Sequence, residues 1–446
     1  MEGAAIPWQF GTGTRRVASF VDDLELESLS DAVRDDIRRT VLDTLGAVTA
    51  GHTIRETAAV AEYVAGTFAG GDATILDGSG DTSRLEGAAL ANCVAGNALD
   101  IDDGNRRGDG HAASLVVPVA LAVAEEEDAS VGEFLEAALA GYEVAIRTGD
   151  ARRRLVGYHN GTGSWAPVGG AAAAGKLRGF DRDTLANAIG MADFNAPLTP
   201  VMRSAANPGN GLTKDGIGWG ALVAASSVSL AEKGLNGSGT LFDHEEITTH
   251  ESLGETFSFD SQNFKPYPGC RWTHAGIDAV LDLYDEHDID PDSIRSVDVY
   301  TFEQGAYLTT RIPENADEAE YSYPFPMAVA LIRGDLRPSD LQRDTLTDAE
   351  ILAMTERIDL HHDPDLVAEY GDAFSARVEI HTGDATYAKE VTHPRGEAER
   401  PLSDAEFEAK MHKLYAEHPD PDAYDDVVTL LETPDAPVAD LVDVWR

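Results

Sequence analysis

LSDAVRDDIRRTVLDTLGAVTAG, residues 29–51, sets the texture of the first half of the chain. Its apolar residues recur at helical spacing, Ser30 and Asp31 open it and Gly51 closes it, so it predicts a helix with one buried face. Outward from it the pattern repeats in GAALANCVAGNALD (87–100), AASLVVPVALAVAEEE (112–127), VGEFLEAALAGYEVAIRTG (131–149), VGGAAAAGKLRG (168–179) and DTLANAIGMADF (183–194). Short Gly/Asp loops join these segments. Their small residues let backbones approach closely, which predicts a tightly packed helical layer.

After FKPYPGCRWTH (264–274) the texture changes. Residues 295–303 alternate like a strand, and 376–393 read as a hairpin with Gly383-Asp384 at its turn. Helical segments around 325–334 and 347–357 lie between them. SDAEFEAKMHKLYAEH (403–418) returns to helix behind a Ser403/Glu406 capping box. The expected fold class is mostly α, with a large all-helical domain (1–262 and 400–446) and a smaller α+β lid domain (263–399).

At 446 residues the chain is long enough for two or three domains, and 43% hydrophobic residues mark it as globular. Against 34 basic residues stand 79 acidic ones, a formal net charge of −45. Such a surface repels phosphate, so no nucleic acid partner is expected. The acid excess is spread along the chain, and lysine is confined to positions 176, 214, 233, 265, 389, 410 and 413. This is a halophilic composition, suited to a salt-loaded cytoplasm that screens self-repulsion. With no signal-like N-terminus and no long apolar run, a cytoplasmic protein without a membrane partner is expected. Cys93 and Cys270 are too few for a disulfide framework, a four-cysteine zinc site or a three-thiolate iron–sulfur cluster, so the expectation is no metal and no cofactor.

Four loops carry the reactive residues. In ALDIDDGNRRGDGHAAS (98–114) Asp100 is in phase with the apolar face of the preceding helix and is expected to point inward, where a carboxylate needs a partner. His111 opens the next buried helix, while Arg106, Arg107 and Asp109 are assigned to solvent or the rim. In LVGYHNGTGSWAPVGG (155–170) His159 precedes a turn and a helix N-terminus that suit an anion. MRSAANPGNGLTKDGIGWG (202–220) supplies Arg203 and Lys214, and NFKPYPGCRWTHAGID (263–278) supplies Lys265, Tyr267, Cys270, Arg271 and His274 in proline-stiffened loops. A solvated connection or a satisfied structural histidine would account for any one of these stretches. Together they hold what is needed to bind a small polycarboxylate and move a proton at carbon. No GxGxxG, Walker, HExxH, GxSxG or EF-hand pattern points to other chemistry.

At these motifs the sequence resembles the MmgE/PrpD family, which includes 2-methylcitrate dehydratase, cis-aconitate decarboxylase and an iminodisuccinate epimerase. DTLGAVTAG, ALDIDDG with its following GH, the histidine-bearing turn before GGAAAAGKL, TKDGIGWGA, FKPYPGCRWTHAGIDA and the late HPRG with PLSDAEFEAK appear in order. The resemblance implies a homodimer with a cofactor-free site between a helical domain and a lid. It implies a site containing Asp100, His111, His159, Lys214 and Lys265, to which Arg203, Tyr267, Cys270 and Arg271 are added here as substrate-binding candidates. Decarboxylase-like members have threonine where Gly104 stands, histidine where Cys270 stands and tyrosine near Phe325, which points away from itaconate-type decarboxylation. The leading expectation is a hydro-lyase that dehydrates a 2-methylcitrate-type 2-hydroxy acid. The alternatives are an epimerase working by proton abstraction beside a carboxylate and a catalytically silent carboxylate binder.

Overall fold

Ser30 caps the helix of the opening stretch, its hydroxyl accepting from the Val33 amide at 3.4 Å. The protein is seen as a computed structural model that describes residues 10–156, 159–200, 214–371 and 373–446, leaving aside the side chains of Lys214 and Arg343. Its first part is a layer of helices: α1 (Thr12–Asp23), α2 (Asp31–Gly51), α3 (Arg55–Thr67), α4 (Leu85–Asn97), α5 (Ala113–Glu126), α6 (Val131–Leu155), α7 (Pro167–Leu177), α8 (Arg182–Asn195) and α9 (Ile217–Glu232). The continuous apolar run of α5 has its reason here, because every residue from Ala113 to Ala124 is buried and the helix touches α2, α4, α6, α7 and α9. Leu115, Val116 and Val119 of α5 and Phe134 of α6 are fully enclosed. Each contributes roughly 1.5–3 kcal/mol relative to exposure.

Small residues do the work the sequence suggested. At the α6–α7 crossing a Cβ on Gly141 would stand 2.6 Å from the Gly169 carbonyl oxygen, and one on Gly169 would stand 2.2 Å from that of Gly141. Alanine at either position would push the two helices apart.

Two short antiparallel pairings interrupt the helices. β1 (Ala73–Thr74) pairs with β2 (Thr82–Ser83), and β3 (Gly104–Asn105) pairs with β4 (Gln262–Asn263). The second pairing is the one that builds the site, because it joins the loop before α5 to the segment carrying Lys265.

The C-terminal region holds a small mixed sheet in the order β6-β5-β7-β8, made by β5 (Ile294–Thr301), β6 (Ile358–His362), β7 (Ala376–Thr382) and β8 (Thr386–Val391). β5 and β6 run parallel and the other pairs antiparallel. Ile294, Val297, Val299 and Thr301 of β5 are buried, which is the alternation read from the sequence. α10 (His274–His287) packs on β7 and β8 and on α11 (Pro324–Arg333), which in turn meets α12 (Ala349–Thr355). The fold is mostly α with this small α+β part. α13 (Asp404–Leu414) begins at the Ser403/Glu406 capping box and lies against α2. No described helix is long and apolar enough to cross a membrane.

Candidate active site

The loop between α4 and α5, the turn before α7 and the segment after β4 line one cleft. α4 ends at Asn97, so Asp100 is not on its helix as the sequence suggested. It sits in a turn at φ 47°, and it is buried through that turn rather than through helical phase. Asp109 (φ 62°) and Asp215 (φ 57°) also line the cleft in the left-handed region. These are three of the five non-glycine residues with positive φ among those described. Aspartate tolerates that conformation at a cost of about 1–3 kcal/mol, and strain gathered in a cleft marks a functional candidate. Gly104 fits the same picture, because a Cβ there would meet the Asn263 Oδ1 at 2.4 Å.

Lys265, Asp100 and His111 form a chain in this cleft. The Lys265 ammonium binds the Asp100 carboxylate and donates to the Asp100 carbonyl oxygen at 2.8 Å. His111 Nε2 stands 3.4 Å from Asp100 Oδ1. The other ring nitrogen, Nδ1, lies 2.8 Å from the Asp103 carbonyl oxygen. A carbonyl only accepts, so Nδ1 carries a proton and Nε2 is left to exchange one. The His111 amide donates to Thr162 Oγ1 at 2.9 Å, and that hydroxyl donates to Asp215 Oδ2 at 2.9 Å, which ties the loop before α5 to the wall before α9.

Behind His111 lie two carboxylates. Asp102 Oδ2 is 3.3 Å from His111 Nδ1 and is held by the Asn97 amide and the Ser114 hydroxyl. Asp103 accepts from Gln262 Nε2 at 3.0 Å and from the Tyr142 hydroxyl at 3.3 Å. Burial is the main cause that lifts the Asp103 carboxyl to about 7, and the donor Gln262 opposes it. Among the described residues, Asp100, Asp102 and His111 have donor atoms within 4.8 Å of one another, close enough to share a cation. The Lys265 ammonium already serves Asp100, and Asn97 and Ser114 already serve Asp102.

His159 lines the same cleft, half-buried, with Nδ1 3.0 Å from Asp109 Oδ2. Asp109, assigned from sequence to solvent or the rim, is partly exposed at the mouth of the cleft and is there the partner of an imidazole. Arg271 also lines the cleft, but its Nε is 3.4 Å from buried Glu397 and its NH1 donates to Asn263 Oδ1 at 3.2 Å. Cys270 lines the cleft and is buried.

Tyr267 is a correction. Its hydroxyl turns away to α10 and donates to the buried Asp278 carboxylate at 2.9 Å, where Arg395 Nε also binds at 2.8 Å. Burial pushes the pKa of the Tyr267 phenol far above its ordinary range, so it stays a neutral structural donor. Arg107 Nε reaches buried Asp150 at 3.3 Å and Arg106 NH1 meets Glu399 at 3.2 Å, and neither side chain lines the cleft. His274 is buried 3.3 Å from the Gly269 carbonyl oxygen; burial, then nearby Lys265, depresses it to about 3, so it is a neutral imidazole. Arg203 and the Lys214 side chain lie outside the described residues.

The sequence reading missed Asp102, Asp103, Asp109 and Asp215. A signal existed for the first three, which share one short loop with residues already chosen. Asp215 directly follows Lys214 and could have been found as the acidic residue of the same glycine-bracketed turn.

Residues 15–259 match the MmgE/PrpD N-terminal domain and residues 267–430 the MmgE/PrpD C-terminal domain. A search of curated proteins gave no match.

Proposed function

The chain belongs to the MmgE/PrpD family, and from that premise we propose that it dehydrates a 2-methylcitrate-type 2-hydroxy polycarboxylate in the cleft lined by Asp100, His111, His159 and Lys265. Family membership supports a hydro-lyase or related activity. The observation that carries the finer reading is the presence of two differently held imidazoles in one cleft. His111 is clamped between carboxylates, and His159 is paired, among the described residues, with Asp109.

In this reading His159 moves the proton at the carbon beside a substrate carboxylate, with Asp109 fixing its ring as an orienting carboxylate does in other acid–base pairs. Lys265 and Arg271 face the carboxylates and the enediolate charge that develops on one of them. His111 Nε2, with Asp100 and Lys265 behind it, delivers the proton that lets the hydroxyl leave as water. Both cations already hold an anionic partner, so substrate binding has to reorganise the Asp100 and Glu397 contacts. Lys214 belongs to the proposal as a further cation, and Arg203 and Cys270 as substrate contacts.

The division into a helical domain (1–262 and 400–446) and a lid (263–399) is part of the same proposal, supported by the change from helices to mixed sheet. So is a homodimer in a salt-loaded cytoplasm. Its support is an apolar groove between α8 and α9 that no described residue covers, where Phe194 is 79% and Leu230 46% exposed in a chain otherwise rich in acids. Incubation of the purified protein with 2-methylcitrate and related 2-hydroxy acids in molar KCl tests the reading. Dehydration gives an ultraviolet-absorbing alkene. Exchange of substrate hydrogen for solvent deuterium without alkene would replace it by an epimerase, and thermal stabilisation alone by a silent binder.

A further inference from the structure

We infer that Lys410 is a positioning residue of this cleft, fixing the 100–103 turn so that Asp100 and His111 keep their places. The inference rests on the cleft being the reaction centre. Lys410 comes from α13, near the end of the chain, and its side chain is 1% exposed. Its ammonium binds the fully buried Asp43 of α2 and donates to the Ile101 carbonyl oxygen at 2.9 Å. Lys265 holds the neighbouring carbonyl of Asp100 at 2.8 Å, and His111 Nδ1 holds that of Asp103 at 2.8 Å. Three carbonyls of one irregular turn are therefore satisfied by side-chain donors from three separate segments. Buried carbonyls outside a helix or ladder need such donors.

A buried Asp–Lys pair is a poor way to glue two helices together, because an apolar pair does that without desolvating charge. An apolar residue at 410 could not hold Ile101, nor oppose the carboxylates behind His111. Facing this ammonium are Asp43 of α2 and Asp102 and Asp103 of the turn, with the Phe264 ring centroid 5.9 Å away, while Arg39 of α2 acts on Asp43. Asp103 is bound in turn by Gln262 and Tyr142. Asp43 Oδ2 and Asp103 Oδ1 are buried and accept no hydrogen bond from any described residue. The space behind the turn is thus crowded with carboxyl groups, and Lys410 is the cation set against them. In a chain that keeps so few lysines, this one is spent where no solvent sees it. Lys410 does not line the cleft. Its loss should reach the reaction through His111 and the turn rather than through substrate contacts.

The test uses the full chain in molar KCl with Lys410→Met, Lys410→Gln and the double variant Asp43→Asn/Lys410→Met, which removes both members of the direct Asp43–Lys410 ion pair. Circular dichroism reports folding. Side-chain 15N spectra of histidine-labelled protein report the His111 tautomer, and steady-state kinetics use whichever polycarboxylate the wild type turns over. The folded double variant is expected to lose kcat tenfold or more, with KM within threefold, and to move the His111 nitrogen signals away from the Nδ1–H pattern. Lys410→Gln, which keeps an N–H for Ile101, is expected to retain more kcat than Lys410→Met. Wild-type kcat with unchanged His111 signals in the double variant, or equal losses in the Gln and Met variants, would overturn the inference. If the wild type itself turns over no polycarboxylate, the proposed reaction fails, and the His111 spectra alone decide the role of Lys410.

Discussion

Asp109 Oδ2 stands 3.0 Å from Nδ1 of His159, joining the loop before α5 to the turn before α7 across the mouth of the cleft. Each residue is only partly buried, yet Asp109 adopts a left-handed backbone to make the contact. The pair gives the cleft an imidazole whose Nδ1 is fixed by a carboxylate.

Asp109→Asn should therefore lower kcat by roughly tenfold or more while leaving KM little changed, because it removes orientation and not substrate binding. His159→Asn removes the proton carrier itself and should cost roughly 10²–10⁴-fold. Steady-state kinetics on both variants, with circular dichroism as the folding control, check the order of the two effects.

Lys265→Met should do more than weaken substrate binding. The ammonium is 3% exposed and its carboxylate partner Asp100 is 6% exposed, so the variant removes a buried cation bound directly to that carboxylate. The expected loss of stability is about 3–5 kcal/mol. Adding Asp100→Asn should restore most of it, which chemical unfolding in molar KCl would show.

The helices and the hairpin were legible because their signals are local. Ser30, Gly51, the Ser403/Glu406 box and the Gly383-Asp384 turn each act within a few residues. Burial of α5 was legible too, since no polar face interrupts its apolar run. What the sequence hid depends on pairings between distant segments. Asp100 was expected inward for the wrong reason, helical phase, when a left-handed turn and Lys265 put it there. Tyr267 shares a loop with Lys265, but Asp278 and Arg395 draw it to α10. Asp109 looked like an ordinary loop acid until His159 was beside it.

Asp103 gives stability a pH signature. Its folded carboxyl lies near 7 against an ordinary value of 3.8, so the folded state holds a proton that the unfolded chain has released between about pH 4 and 7. The contribution is fully present below about pH 4 and is lost as pH rises through 7, by at most about 4 kcal/mol. Asp103→Asn, which is neutral at every pH, should melt higher than wild type at pH 8, with the gap shrinking toward pH 5. Thermal melts across that range at constant KCl would measure it.

Salt should stabilise the fold. With a net charge of −45, repulsion reaches about 30 Å at 0.01 M salt and only about 3 Å at 1 M. The melting temperature is expected to rise by a few °C between dilute buffer and molar KCl, since each kcal/mol moves a chain of this size by only about 1 °C. Equal melting temperatures at both ends of that range would contradict the halophilic reading.

The most direct test of the central claim is a proton NMR time course of 2-methylcitrate with the enzyme in molar KCl made up in deuterium oxide, run for wild type and for folded His159→Asn. The account predicts that wild type converts the substrate to an alkene and that the variant does so at least about 100-fold more slowly. Alkene formation at the same rate in both proteins, or no alkene from wild type, would contradict it.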